Sequence, residues 1–161
     1  MRLMLGDYTV LARAIHVLAL VHWFGGVAVV TTIVLPAARQ LPNASEAIAA
    51  FERFEGRFAA QVRISIALVG VSGVYMLYMF DAWDRFEFLS FWWLHLMVAV
   101  WALFAVVVYV LEPLFLHRVF RALAMQDKNR AFAIAIRLHA GALAISAIAI
   151  GAGVLGAHGG L

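Results

Sequence analysis

Residues 14–38 read AIHVLALVHWFGGVAVVTTIVLPAA, a stretch that contains no Asp, Glu, Lys or Arg. An α-helix rises 1.5 Å per residue, so about 20 apolar residues cross the hydrocarbon core of a bilayer, which is about 30 Å thick. The stretch also exceeds the roughly 7–15 apolar residues of a cleavable signal sequence. It therefore predicts a helix that stays in the membrane.

Three further stretches have the same character. The predicted spans cover about residues 10–35, 59–80, 91–111 and 131–155, within a single transmembrane domain of residues 1–161. Pro36 is expected to end the first span, and Glu112-Pro113 the third. The chain is 66% hydrophobic and 13% charged, against roughly 45–50% and 25% in soluble domains. Because lipid offers no backbone hydrogen bonds, these spans predict an all-α integral membrane four-helix bundle.

The connections between the spans differ in charge. The first runs from Pro36 to Phe58 and is expected to form a turn, an N-cap near Asn43 and a short amphipathic helix. It is basic, as is the connection over residues 114–130, whereas residues 81–90 are acidic. The positive-inside rule then places both termini on the outer, periplasmic side of a bacterial inner (cytoplasmic) membrane. We read the net charge of +3 as orientation, with no nucleic acid as partner.

The chain contains no cysteine. This excludes disulfides, thiolate metal sites, iron–sulfur clusters and covalently attached c-type haem. Any bound metal must therefore be held by histidine, methionine, carboxylate or backbone groups.

Four of the six histidines lie inside predicted spans: His16, His22, His95 and His139. Ionisable residues within membrane helices are rare and usually functional, although a neutral histidine bonded to a neighbouring helix is the structural alternative. By depth, His16 and His95 form one predicted pair and His22 and His139 a looser second pair. His16 and His22 are about 9 Å apart along their helix and point in different directions, so they are not expected to share one iron.

Arg63 is a charge inside the second predicted span, and Glu112 lies at comparable depth at the end of the third. A charge in lipid is costly unless it is paired. The sequence therefore predicts that Arg63 contacts Glu112 or a haem propionate, with simple snorkelling to the interface as the alternative.

The segment from His16 through Trp23 to Gly26 resembles the first helix of two families of small bacterial membrane proteins. These are the copper-resistance protein D domain family and the membrane-bound, haem-containing protoporphyrinogen oxidase family. The segments 51–54 and 70–75 are similar to both, and Trp93-Leu-His95 resembles the third helix of the oxidase. The resemblance implies that His16 is a haem ligand and that His95 lies near the haem. The oxidase family has a lysine where Met97 stands, which makes Met97 a further candidate axial ligand.

Together these features favour a b-type haem protein for electron transfer, with one or two haems held by His16, His95, His22 and His139 and with Arg63 beside them. Two alternatives stay open: a haem-dependent protoporphyrinogen oxidase, and a copper-binding or copper-transporting protein. Whether the chain is an enzyme, and so an oxidoreductase, stays open too. Expected partners are the lipid bilayer, a quinone and an outer redox protein. A homodimer would bury the glycine-rich face of the fourth span.

Overall fold

The computed structural model describes residues 2–160, with side chains from Tyr8 onward, and its helices account for nearly all of that range. They are α1 (Arg2–Val29), α2 (Leu35–Gln40), α3 (Ala44–Met79), α4 (Trp92–Val106), α5 (His117–Gln126) and α6 (Lys128–Ala157). Within the described range, four helical stretches are long and apolar enough to cross a membrane: Tyr8–Gln40, Ala44–Met79, Leu89–Gln126 and Lys128–Ala157. This confirms the predicted all-α architecture of a multi-pass membrane protein.

The two prolines at the span ends do not end their helices, so that part of the prediction is wrong. A π-helical segment, Val30–Val34, joins α1 to α2, and Pro36 lies in the first turn of α2. A second π-helical segment, Val107–Leu116, contains Pro113 and joins α4 to α5. Proline lacks an N–H and its ring crowds the carbonyl four residues earlier. The wider π turn shifts the bonding pattern, which lets the chain stay helical past each proline.

The predicted short amphipathic helix before the second span is instead the first part of one long helix. Asn43 caps α3 by accepting the Glu46 N–H at 2.8 Å, and the helix then continues to Met79. Residues 117–126 of the basic connection are likewise helical. Charged residues mark where a helix leaves the hydrocarbon, but a helix exposed to water need not stop there.

The four spans pack as a bundle in which α1 lies along α3 and α6, and α4 lies along α6 and α3. Consequently α1 and α4 are diagonal to each other. At the centre of the bundle, Trp23 packs its ring edge-on against Phe104, with 4.5 Å between the ring centroids. Small residues let the helices approach: Met97 lies against Gly153, and Trp93 lies against Gly156.

The two basic connections lie at the same end of the bundle, which we call the basic end. Lys128 Nζ donates to the carbonyl of Leu41 and thereby links them. Beneath them a cluster of buried apolar residues is centred on Phe132 and Leu35, both with no exposed surface. The acidic connection, residues 80–91, lies at the opposite end, which we call the acidic end.

Candidate histidine site

His16 belongs to the face of α1 that points into the bundle. Positions three, four and seven apart share one side of a helix. The neighbours of His16 on that side are all buried: Ala12, Ala19, Trp23 and Val27. The imidazole is half-buried, and its ring lies beside Gly73 of α3. A methyl group at Gly73 would stand 3.5 Å from His16 Cε1. The ring therefore lies close to the backbone of α3, between two alanines of its own helix.

The partner of His16 determines which ring nitrogen carries the proton. His16 Nδ1 lies 2.9 Å from Ser72 Oγ. The single hydroxyl hydrogen of Ser72 is directed at the carbonyl of Leu68, at 2.5 Å, so Ser72 Oγ can only accept from the histidine. His16 is then protonated on Nδ1, and Nε2 keeps its lone pair. His16 also hydrogen-bonds to the backbone of Val69, and Ser72 is the only side chain in the described range that hydrogen-bonds to its ring.

His22 is bonded at both ring nitrogens and differs from His16 in this respect. Its Nδ1 lies 2.8 Å from Ser65 Oγ and its Nε2 lies 3.3 Å from Gln61 Oε1. The amide oxygen of Gln61 only accepts, so Nε2 donates to it and Nδ1 accepts from Ser65. The side chain is exposed on the outside of the α1–α3 seam. As it stands, His22 has no free lone pair for a metal.

His95 is turned towards the acidic end. Its Nδ1 lies 3.0 Å from the carbonyl of Phe91 and its Nε2 lies 3.1 Å from the carbonyl of Phe86. The Phe86 ring also packs edge-on against the imidazole, at 5.4 Å between centroids. A neutral imidazole can donate to only one of the two carbonyls. His95 thus holds the acidic connection against the start of α4, and ligation would require it to leave one of these carbonyls.

His139 on α6 resembles His16 in its bonding. Its Nδ1–H donates to the carbonyl of Ala135 at 2.9 Å, which leaves the lone pair of Nε2 free. The side chain is half-buried. His16 and His139 are therefore the two predicted ligands that keep a free Nε2 lone pair.

No hydrogen bond joins two of the four histidines across the part of the chain that the structure describes. Nor do these residues include a group of three or more His, Cys, Asp or Glu side chains placed to hold a metal ion. A haem iron needs only one or two protein ligands, so the pairing of His16 with His95 and of His22 with His139 stays a prediction. Met97, the other candidate ligand, packs its sulfur against Gly153 of α6.

Ser65 and Ser72 are the site residues that the sequence analysis missed. Each orients one histidine of α1, and both are buried. They are seven residues apart, which is two helical turns and hence the same face of α3. Two serines at this spacing in the uncharged part of α3, residues 64–79, were the available signal, together with two histidines six residues apart on α1.

Trp23 adds a second unpartnered polar group to the inward face of α1. Its indole Nε1 is buried without a hydrogen-bond partner in residues 8–160. A buried donor that lacks an acceptor costs about 1–3 kcal/mol. An acceptor atom supplied by water or by a bound group would remove that cost.

Arg63 contacts Glu112, which confirms the contact predicted from the sequence. Arg63 Nη2 lies 2.5 Å from Glu112 Oε2, with the two side chains 38% and 23% exposed. Tyr109 donates its hydroxyl to the Arg63 carbonyl at 2.6 Å. The ion pair thus links α3 to the π-helical segment Val107–Leu116 that follows α4.

We expect a double-mutant cycle on Arg63→Gln and Glu112→Gln to give a coupling of about 1 kcal/mol, because partly exposed charges in contact couple weakly but measurably. The measurement is reversible unfolding in mixed detergent micelles. A control cycle pairs Glu112→Gln with Arg118→Gln, since Arg118 pairs with no acid in the described range. Equal coupling in both cycles would show that the contact contributes nothing specific.

The chain was compared with protein-family models, with curated proteins and with solved structures, and nothing matched in any of the three. The fold and the histidines define a multi-pass helical membrane protein with polar groups inside its bundle. Its assignment to a family stays a prediction.

Proposed function

We propose that the chain is a b-type haem membrane protein in which His16 is an axial ligand, and that it serves electron transfer. The observation that carries the proposal is the free Nε2 lone pair of His16, on the inward face of α1 and fixed by Ser72. Metal-bound histidines commonly donate their other ring N–H to a second group in this way. His139, with the same bonding pattern, is the second ligand candidate.

The surroundings of His16 support a flat ligand. Ala12 and Ala19 flank it on α1, and Gly73 faces it from α3, so small side chains border the imidazole. The buried Trp23 N–H offers a donor on the same face. A bound haem b would supply one-electron transfer.

In this proposal the residues of the protein orient the axial ligand and keep water away from the haem. Ser72 keeps the proton on Nδ1 and fixes the direction of Nε2. The apolar centre around Trp23, Ile66 and Phe104 keeps water out of the bundle. Low polarity around a redox group is one of the means by which a protein sets its potential.

The first test is the absorbance spectrum of the protein purified in detergent, oxidised and reduced with dithionite, with haem and metals quantified per chain. We expect a Soret band, and a sharp α band on reduction, with one or two haems per chain. A colourless protein after expression with added haem precursor would overturn the proposal. Copper bound instead of haem would favour the copper alternative.

A further inference from the structure

An exposed pocket lies on the surface of α3 towards the basic end. It has a volume of about 270 Å³ and is lined by Arg53, Phe54, Arg57, Phe58 and Gln61. The lining combines two cations, two aromatic rings and one amide. It is separate from the inward face of α1 that carries His16.

The two arginines have no acid partner. Arg53 Nε donates to the carbonyl of Ala49, at 3.1 Å, and neither guanidinium lies within 4 Å of a carboxylate in the described range. The ion pairs of α3 that do form involve other cations: Glu112 pairs with Arg63, and Glu52 lies near His117 and Arg121. Two cations one helical turn apart are therefore left for an anion from outside the chain.

Depth places this pocket at the membrane interface. The sequence from Ile64 to Met79 carries no charge, and Arg63 pairs with Glu112 where that apolar part ends. At 1.5 Å per residue, Arg57 is about 9 Å and Arg53 about 15 Å beyond Arg63. Phospholipid headgroups occupy the layer just outside the hydrocarbon core, and arginine side chains extend along such a surface to reach it.

The remaining lining fits the rest of a phospholipid. Gln61 accepts from His22 through its amide oxygen, so both hydrogens of its amide nitrogen are free to donate to an ester carbonyl. The rings of Phe54 and Phe58 lie 5.7 Å apart and give the pocket an apolar wall. Phe58 is seated over Gly26 of α1, where any side chain would overlap its ring.

The geometry points to a binding site for one anionic phospholipid, with its phosphate on Arg53 and Arg57 and its ester region at Gln61. Arginines just beyond the cytoplasmic end of a membrane helix attract anionic headgroups, and the positive-inside rule predicts that the basic end is cytoplasmic. Charge complementarity selects the anionic lipid over a zwitterionic one. The inference does not depend on the proposed haem.

The test uses the full chain in dodecyl maltoside, titrated with phosphatidylglycerol or with phosphatidylcholine of the same acyl chains. Bound lipid is counted by native mass spectrometry, and the melting temperature is followed by tryptophan fluorescence. We expect about 25-fold tighter binding of phosphatidylglycerol, since each of the two arginines near the surface contributes about a factor of five towards an anionic lipid. The double variant Arg53→Gln/Arg57→Gln should lower that preference to about one.

Arg118→Gln/Arg130→Gln is the matched control, because it removes the same charge from the same end and leaves the pocket intact. This control should keep the preference for phosphatidylglycerol. The variant Arg53→Lys/Arg57→Lys should keep most of that preference, since lysine still binds phosphate as a point charge. Equal loss in both glutamine variants would show unspecific attraction and overturn the proposal. So would no loss in either, or stabilisation by inorganic phosphate alone. Circular dichroism of each variant without lipid checks its folding.

Discussion

Replacing His16 by alanine is expected to abolish the haem binding that we propose. The substitution deletes the inward-facing nitrogen with a free lone pair, and the neighbouring Ala12, Ala19 and Gly73 offer no replacement ligand. We expect haem per chain to fall to a background level, with loss of the reduced α band. The measurement is the pyridine haemochrome assay on purified protein, together with the reduced-minus-oxidised spectrum.

Two further variants separate ligation from folding. Ser72→Ala keeps His16 but removes the group that fixes its tautomer, so haem affinity should fall by about 10–100-fold, as for other groups that orient a metal ligand. His158→Ala is the control, because His158 is exposed and, like His16, donates from Nδ1, in its case to the carbonyl of Val154. It should retain the haem.

Full haem retention by His16→Ala would exclude His16 as a required ligand. A haem spectrum in the unmodified protein would then still support the cytochrome class. In that case His139→Ala becomes the decisive variant. Loss of haem in His158→Ala as well would indicate that the substitutions act through folding.

Replacing Phe132 by alanine is expected to give the largest loss of stability, about 3–5 kcal/mol, which is typical when a fully buried phenylalanine is truncated. Phe132 has no exposed surface and packs against Phe120 and Phe51, with centroid distances of 5.2 and 6.3 Å. The cluster holds the start of α6 against α2 and α3 at the basic end.

The free energy of unfolding would be measured in mixed micelles of dodecyl maltoside and sodium dodecyl sulfate. Phe115→Ala is the control, since Phe115 is 58% exposed and its loss should change stability by less than about 0.5 kcal/mol. Phe132→Leu should fall between the two. A cost for Phe132→Ala no greater than for Phe115→Ala would mean that this cluster does not hold the helices together.

The ends of the helices show where the sequence pattern was insufficient. Pro36 and Pro113 predicted helix ends because proline cannot donate to the helix. Instead the chain stays helical past both prolines, because a π-helical segment precedes Pro36 and another contains Pro113. A π turn depends on how the helix packs against its neighbours, and no local rule predicted it.

The histidines show the same division between pattern and packing. Their depth and the small residues around His16 were evident from periodicity. Their partners were not, because Ser72 is 56 residues from His16 and Ser65 is 43 residues from His22. Which ring nitrogen stays free follows from those distant contacts alone.

By itself the sequence determined four helices long and apolar enough to cross a membrane, and it limited Arg63 to a contact with Glu112, a contact with a propionate, or snorkelling to the interface. Both follow from local hydrophobicity and from the cost of a charge in lipid, which act wherever the chain enters a bilayer. The tertiary structure alone decided that α1 packs along α3 and that α1 and α4 lie diagonally across the bundle. It also separated the bonding of His16 from that of His22, because α3 offers Ser72 to one ring nitrogen of His16 but offers Ser65 and Gln61 to the two ring nitrogens of His22.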